Sequence, residues 1–385
     1  MKVYKPVLLA AHTLPIIGMV LMSPILPQIA EEFPHVSDIS IQMLVTLPAI
    51  CSLVFGQISG WLSNFVNKKN LILTGLLLFF IGGFGAYFIT EFWQLFLCRL
   101  LVGVGIGLFL PVNLSLFSDY YTGDERTSSI GLSQAVNYLG GVLGTLFAGL
   151  IAATNWRNVF FINLVVAGVF LIDLIWLPSQ KNRAEAANRK FQILPSRVYI
   201  YAVFAFLQMM VFYSCVTNFS ARIMEAGQSN SFYASIGIAC LYFGCFATGT
   251  VLLKMMRIFK KWIAVAAVSA MLIGFIFLFC GSHLLVLYLG ILLVGLGDGI
   301  IIPYLYAKTA DASPVEYNGQ AMATVNFGVS IGQFVAPLFF AAVKNIVGGT
   351  VPSAGFAGIS ITLAVVLGIM VLYNVFASAR TKSVK

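Results

Sequence analysis

The sequence predicts an all-α integral membrane protein, with twelve transmembrane helices in two pseudo-symmetric six-helix bundles. Three observations carry this prediction. Of 385 residues, 60% are hydrophobic and 9% charged, and mean hydropathy is +0.96; no soluble domain of this size has the interior to hide so much apolar surface. The apolar residues come in runs of about 20, the helix length that crosses roughly 30 Å of hydrocarbon, and the short alternating strands of a barrel are absent. Finally, Leu101 to Pro111 (LVGVGIGLFLP) returns 192 residues later as Leu293 to Pro303 (LVGLGDGIIIP), about half the chain length.

Within that repeat, leucine, valine, three glycines and proline recur in register. The other positions exchange one aliphatic or aromatic residue for another, except that Ile106 becomes Asp298. The same offset relates Lys68-Lys69 to Lys260-Lys261, Asp119 to Asp311 and Gly140 to Gly332. A duplicated apolar unit is a known plan of membrane carriers.

Taken in order, the spans fall near 7–30, 40–62, 71–90, 93–118, 128–153, 158–178, 198–221, 232–256, 262–282, 284–307, 319–343 and 355–378. Lys2 and Lys5 before the first run mimic a signal peptide, but the run exceeds signal length and reads as a retained first span. The stretch 179–197 is a basic cytoplasmic linker between an N-terminal bundle (1–178) and a C-terminal bundle (198–385); it carries five basic residues against one acid, Glu185. With the N-terminus in the cytoplasm, 18 of the 22 lysines and arginines fall on the cytoplasmic side. Arg157, Arg222 and Lys344 fall outside, and Arg99 lies within a span. This is the positive-inside pattern, so the net charge of +9 reports topology rather than a nucleic-acid face. Both termini are expected in the cytoplasm, and the short loops fit a bacterial cell membrane. All six cysteines lie inside apolar runs without metal-ligand spacing and read as small packing residues. Gly140 and Gly144 share one helix face, where small residues let helices approach in lipid.

Five stretches carry further information: SPILPQIAEEF (Ser23 to Phe33), GWLSNFVNKK (Gly60 to Lys69), CRLLVGVGIG (Cys98 to Gly107), GGVLGTLFAG (Gly140 to Gly149) and WRNVFFIN (Trp156 to Asn163). At these residues the chain resembles the major facilitator superfamily, and within it the twelve-span drug:proton antiporter branch. Gly60, Leu62, Lys68 and Lys69 match the family's loop 2–3 signature, whereas Asn64 stands where that signature has an aspartate. The resemblance implies a cytoplasmic latch here that lacks the aspartate's charge. Arg99 matches a buried arginine of the family. In the span 5 motif, Thr145 replaces a proline, and the repeat position in the second half is Pro337. WRNVFFIN and SPILPQIAEEF match runs common in the branch. The resemblance implies a major facilitator fold and secondary transport.

Ionisable groups at membrane depth each cost about 2.5–3.5 kcal/mol at mid-bilayer, so each needs a reason. Asp298, near the middle of span 10, is the leading candidate for proton coupling, because a carboxyl in apolar surroundings can load and release a proton near neutral pH. Arg99 is expected as its buried partner or as an anion site; the structural alternative is an arginine bonding helix-end carbonyls. His12, in the inner half of span 1, can titrate or pack. Asp173 and Lys254 are expected to snorkel to the inner interface. For substrate binding the candidates are Asn113, Gln134, Asn137, Gln208, Tyr213, Tyr304 and Asn326, uncharged polar groups at mid-depth. Gln134 and Asn137 share a face, and Asn326 is the repeat mate of Gln134. Each alone can instead be an interhelical hydrogen bond. The glycines, Asn64, the lysine pair and Pro337 are the expected gating elements.

No phosphate loop, paired metal-spaced histidines or soluble domain is present in the sequence, so an enzyme or ATPase is not expected. Neither is a cofactor or metal. The expected partners are a small-molecule substrate, protons and lipid, with the chain acting as a monomer. The sequence points to a secondary transporter, with proton-coupled export of a small hydrophobic compound as the first reading. Uniport or symport of an organic anion or neutral metabolite is the alternative. A sensor or channel would need a signalling domain or filter loop.

Overall fold

The computed structural model describes residues 4–63, 65–120, 123–178, 193–228, 230–313 and 318–383. Asn64, linker residues 179–192 and the side chain of Gln134 lie outside the described residues. Among the described residues, twelve helical spans are long and apolar enough to cross a membrane, and the chain divides into two compact units, Met1–Pro195 and Ser196–Lys385.

In the first unit, span 1 is built from α1 (Tyr4–His12), α2 (Leu14–Val20), a 3-10 turn (Ser23–Ile25) and α3 (Leu26–Glu32). It is broken where the sequence suggested one helix. Pro15, Pro24 and Pro27 sit in the first turns of the three pieces after the breaks, where a missing N–H costs least. α4 (Asp38–Leu62), α5 (Lys68–Gly85), α6 (Phe92–Tyr120) and α7 (Gly123–Ala152) follow. A 3-10 stretch, Trp156–Asn163, then leads into α8 (Leu164–Trp176). Asn67 caps α5, its Oδ1 accepting from Lys69 N–H at 2.9 Å. The second unit holds α9 (Ser196–Glu225), α10 (Ser231–Phe259), α11 (Ile263–Cys280), α12 (Leu284–Ala312), α13 (Asn318–Ile346) and α14 (Pro352–Ser383). Pro48, Pro111, Pro303 and Pro337 lie inside helices that continue through them.

Each unit repeats one packing scheme. α2 packs on α7, α4 and α5 on α6, and α5 on α8; likewise α9 packs on α13, α10 and α11 on α12, and α11 on α14. The 192-residue offset holds at the level of single contacts. A Cβ built on Gly82 would fall 2.6 Å from the Cys98 carbonyl oxygen; one on Gly274 would fall 2.5 Å from that of Gly290. A Cβ on Gly105 would lie 2.6 Å from the Gly75 oxygen, and one on Gly297 2.6 Å from that of Ala267. In each case both partners are repeat mates, so the duplication preserved helix contacts as well as helix order.

At one end of the first unit, the two stretches that most resemble the antiporter branch bind each other. Trp156 Nε1 donates to Glu32 Oε2 at 2.6 Å, and the Arg157 guanidinium pairs with Glu32 while lying 4.9 Å from the Trp156 ring centre. The second unit closes in a related way. Glu225, at the end of α9, accepts the Ser353 N–H at 2.9 Å in the first turn of α14, a position where the helix dipole favours a carboxylate.

One expectation about the inner interface is overturned. Asp173 does not snorkel: it is 2% exposed, on the inward stripe of α8 with Val166 and Val169. Its turn is instead covered by Lys69, whose Nζ donates to the Leu174 carbonyl at 2.8 Å. Lys254 is exposed.

Candidate functional site

The candidate site is built on the backbone of α12. Gly297 and Gly299 flank Asp298, and both are pressed against neighbouring helices. A Cβ on Gly297 would overlap Met271 of α11, and one on Gly299 would fall 2.5 Å from the Cys245 carbonyl oxygen of α10. With its neighbours on either side committed to α11 and α10, the Asp298 side chain reaches α9. Gln208 Nε2 donates to Asp298 Oδ1 at 2.9 Å and lies 3.2 Å from Met271 Sδ. The Cys245 thiol lies 3.9 Å from Asp298 Oδ2. Asp298 is 1% exposed, and Tyr213 and Tyr242 are also buried in this neighbourhood. No lysine, arginine or histidine among the described residues of its own unit pairs with it. The carboxyl is therefore held by neutral donors alone, which is the least compensated condition for a buried charge. At the repeat position of the first unit, the equally buried Ile106 avoids the problem.

Gln208, assigned from sequence to the substrate, is thus a partner of Asp298, and Tyr213 lies beside it. Cys245, Met271 and Tyr242 were not singled out from sequence. Cys245 was read as packing, although its thiol reaches the carboxyl. The repeat contained a signal for Met271, which is the mate of Phe79, the residue that packs on Gly105.

Arg99 takes the structural alternative. It is 3% exposed, and its Nε donates to the Leu44 carbonyl at 2.7 Å. One Nη donates to the Gly18 carbonyl at 2.6 Å and lies 3.3 Å from that of Met19. Arg99 and Asp298 each take their hydrogen bonds from their own unit. The cause is local, because proline and a helix end leave these carbonyls without backbone donors.

Other polar candidates in the first unit serve the broken span 1. Asn137 Oδ1 accepts the Ile16 N–H at 3.4 Å, in the first turn of α2. Gly140 and Gly144 on the same helix seat against Thr13 and Ile17. Asn113, fully buried on α6, donates through Nδ2 to the Leu8 carbonyl of α1 at 3.2 Å. His12 is buried at the end of α1. In the second unit, Tyr306 Oη donates to Asn326 Oδ1 at 3.3 Å, and Lys308 lies 5.8 Å from the centre of the Tyr304 ring. Pro337 is buried inside α13. Lys68 begins α5, whereas Gly60 has open space where a Cβ would stand and is not a close-contact glycine.

Comparison with known proteins agrees with this architecture. The chain is 27% identical to the multidrug transporter protein MdtP of Bacillus subtilis over 130 residues, 34% of this chain and 24% of that protein. The chain thus spans about a quarter of that relative's length. It is 25% identical to the class B tetracycline resistance protein of Escherichia coli over 358 residues, 85% of each chain. A bacterial homolog of the human lysosomal transporter Spinster, solved in an inward-facing, occupied conformation, superposes with a TM-score of 0.74 at 18% identity, covering 98% of this chain and 95% of that one. The model described as Major Facilitator Superfamily matches residues 8–337. With twelve helices among the described residues long and apolar enough to span a membrane, in two repeated units, and that match across most of its length, the chain is a multi-pass membrane protein and a member of the Major Facilitator Superfamily.

Proposed function

We propose that the protein exports a small hydrophobic organic compound in exchange for protons, by alternating access, with Asp298 as the carboxyl that carries the proton. One observation carries the reading: Asp298 is buried in the second unit with only neutral partners, Gln208 and Cys245. A carboxyl paired permanently with a cation would be fixed in one charge state, whereas this one is free to exchange its proton with whichever side opens to it. The substrate class follows the relatives named for multidrug transport and tetracycline resistance. It also agrees with the aromatic content of 14% in a chain with few deep charges. The alternative of an organic anion loses its cation, because Arg99 is engaged by backbone carbonyls. The chain acts as a monomer in a bacterial cell membrane in this reading; the lysine and arginine distribution supports cytoplasmic placement of both termini.

The test is transport of tetracycline and hydrophobic dyes into inverted vesicles under an imposed pH gradient. Asp298→Asn is expected to abolish gradient-driven accumulation at unchanged expression, and an uncoupler is expected to do the same to the natural protein. Accumulation that survives in Asp298→Asn removes that carboxyl from the mechanism. Survival under uncoupler removes proton coupling.

A further inference from the structure

We infer that Gln208 is the positioning residue for the proton on Asp298, its amide turning over so that both protonation states of the carboxyl are hydrogen-bonded. The inference rests on the coupling reading above and goes beyond it by assigning Gln208 to the proton rather than to the transported compound.

The geometry is specific. Gln208 Nε2 donates to the carboxyl at 2.9 Å from Oδ1. The same nitrogen's second hydrogen faces Met271 Sδ at 3.2 Å. A thioether is a weak acceptor, so this contact fills space without fixing the amide's orientation. The Cys245 thiol is a weak donor at 3.9 Å. An amide presents N–H on one side and a carbonyl on the other, exchanged by rotation about one bond. With N–H turned to the ionised carboxylate, Gln208 donates. With the carbonyl turned to the neutral acid, it accepts the acid's O–H. When that O–H bond breaks, the proton passes to water on the open side and the amide turns back.

The hydrogen bonds to the carboxyl come from Gln208 and the weakly donating Cys245 thiol. From α10 the facing titratable groups are Cys245 and Tyr242, and from α9 Tyr213. α11 offers Met271, its one titratable residue being Cys280 at its last position. α13 carries a single ionisable residue, Lys344, in its last turn. Apart from the carboxyl itself, α12 has Tyr288, Tyr304, Tyr306, Lys308 and Asp311, each at least six residues from Asp298. Gln208 is 9% exposed, so water does not readily take its place. Leucine would remove both the donor and the acceptor. Asparagine is one methylene shorter and falls short of the carboxyl. Glutamate has glutamine's shape but is a second carboxyl, able to share one proton with Asp298.

The test is infrared difference spectroscopy of purified protein titrated across about pH 5 to 9, following the neutral-carboxyl band that disappears in Asp298→Asn. No substrate is needed. In Gln208→Leu, the ionised state has lost its nitrogen donor, and the midpoint of that band is expected to move to higher pH by about one unit. Gln208→Glu, nearly isosteric and the safer variant for folding, is expected to split the titration into two steps. Thermal unfolding of both variants checks that the fold is kept, which a merely structural role for Gln208 would not allow. A single, unmoved midpoint in Gln208→Glu, or in a folded Gln208→Leu, overturns the positioning role while leaving Asp298 as the coupling group. If the natural protein shows no titrating band that Asp298→Asn removes, the coupling reading falls first and this one with it.

Discussion

Replacing Arg99 with leucine is expected to destabilise the first unit by about 2–4 kcal/mol, because two to three buried carbonyls would lose their donors in a setting where water cannot supply replacements. The identity of those carbonyls makes the prediction sharp. In α4 the Leu44 carbonyl would ordinarily accept from the N–H four residues on, but that residue is Pro48, which has none. Gly18 and Met19 lie in the last turn of α2, which ends at Val20, so their carbonyls have no partner within the helix. Arg99 reaches both sets, donating at 2.7 Å to Leu44 and 2.6 Å to Gly18. A lysine offers a single point charge in place of a planar fork and is expected to recover only a small part of the loss. Pro48→Ala restores an N–H for Leu44, so it should cost less, or even gain, in the Arg99→Leu background than in the natural one. Thermal unfolding in detergent of the two single variants and the double variant measures this directly. Equal stability of Arg99→Leu and the natural protein would overturn the account, as would strictly additive effects of the two changes.

That arginine also shows how far the sequence could be read. Span number, two repeated halves and the offset between them were all legible, because apolar length and self-similarity are carried by every residue of the repeat. The offset reached further than expected: Gly82 with Cys98 and Gly274 with Gly290 are one contact made twice. Asp298 was legible as an exception, a carboxyl where the first copy has Ile106. Its surroundings were not. Cys245 read as a packing residue in a chain this apolar, Met271 carried no sequence reading, and a buried glutamine has no preferred partner until helix register is known. Register is also what hid the role of Arg99, since Pro48 announces an orphaned carbonyl without saying which helix faces it. Proline alone did not reveal the break in span 1 either. Pro111, Pro303 and Pro337 lie in continuous helices, whereas Pro15 sits after a break at Thr13 that α7 covers with Asn137 and Gly140. For Asn113 and Asn137 the sequence left substrate binding and interhelical hydrogen bonding open, and both make interhelical bonds. Asn137 accepts from the first turn after the break, and Asn113 donates to α1.

Gly295→Ala should be among the most disruptive single-methyl changes in the second unit, and it tests the repeat and the site together. A Cβ at Gly295 would overlap the Leu241 carbonyl oxygen of α10, and in the reverse direction a Cβ on Gly244 would fall 2.7 Å from the Leu292 oxygen of α12. Both contacts are backbone against backbone, so no side chain can turn aside, and α10 and α12 must separate. Overpacking of this kind costs about 1–3 kcal/mol, and a contact made by rigid helix backbones belongs at the upper end. The contrast is Gly60→Ala on α4. Nothing lies within 4 Å of that Cβ, and removing a helical glycine is expected to be neutral or to stabilise by up to about 1 kcal/mol. The functional consequence follows from which helices part. Cys245 is on α10, so separation lengthens its 3.9 Å contact with Asp298, while Gln208 approaches from α9 and keeps its bond. Gly295→Ala should therefore lower the unfolding temperature by several degrees, while the protein that remains folded still loads and releases its proton. An unfolding temperature for Gly295→Ala matching that of Gly60→Ala would mean that the α10–α12 seam is looser than the contact requires, and the tight flanking of Asp298 would lose its physical basis.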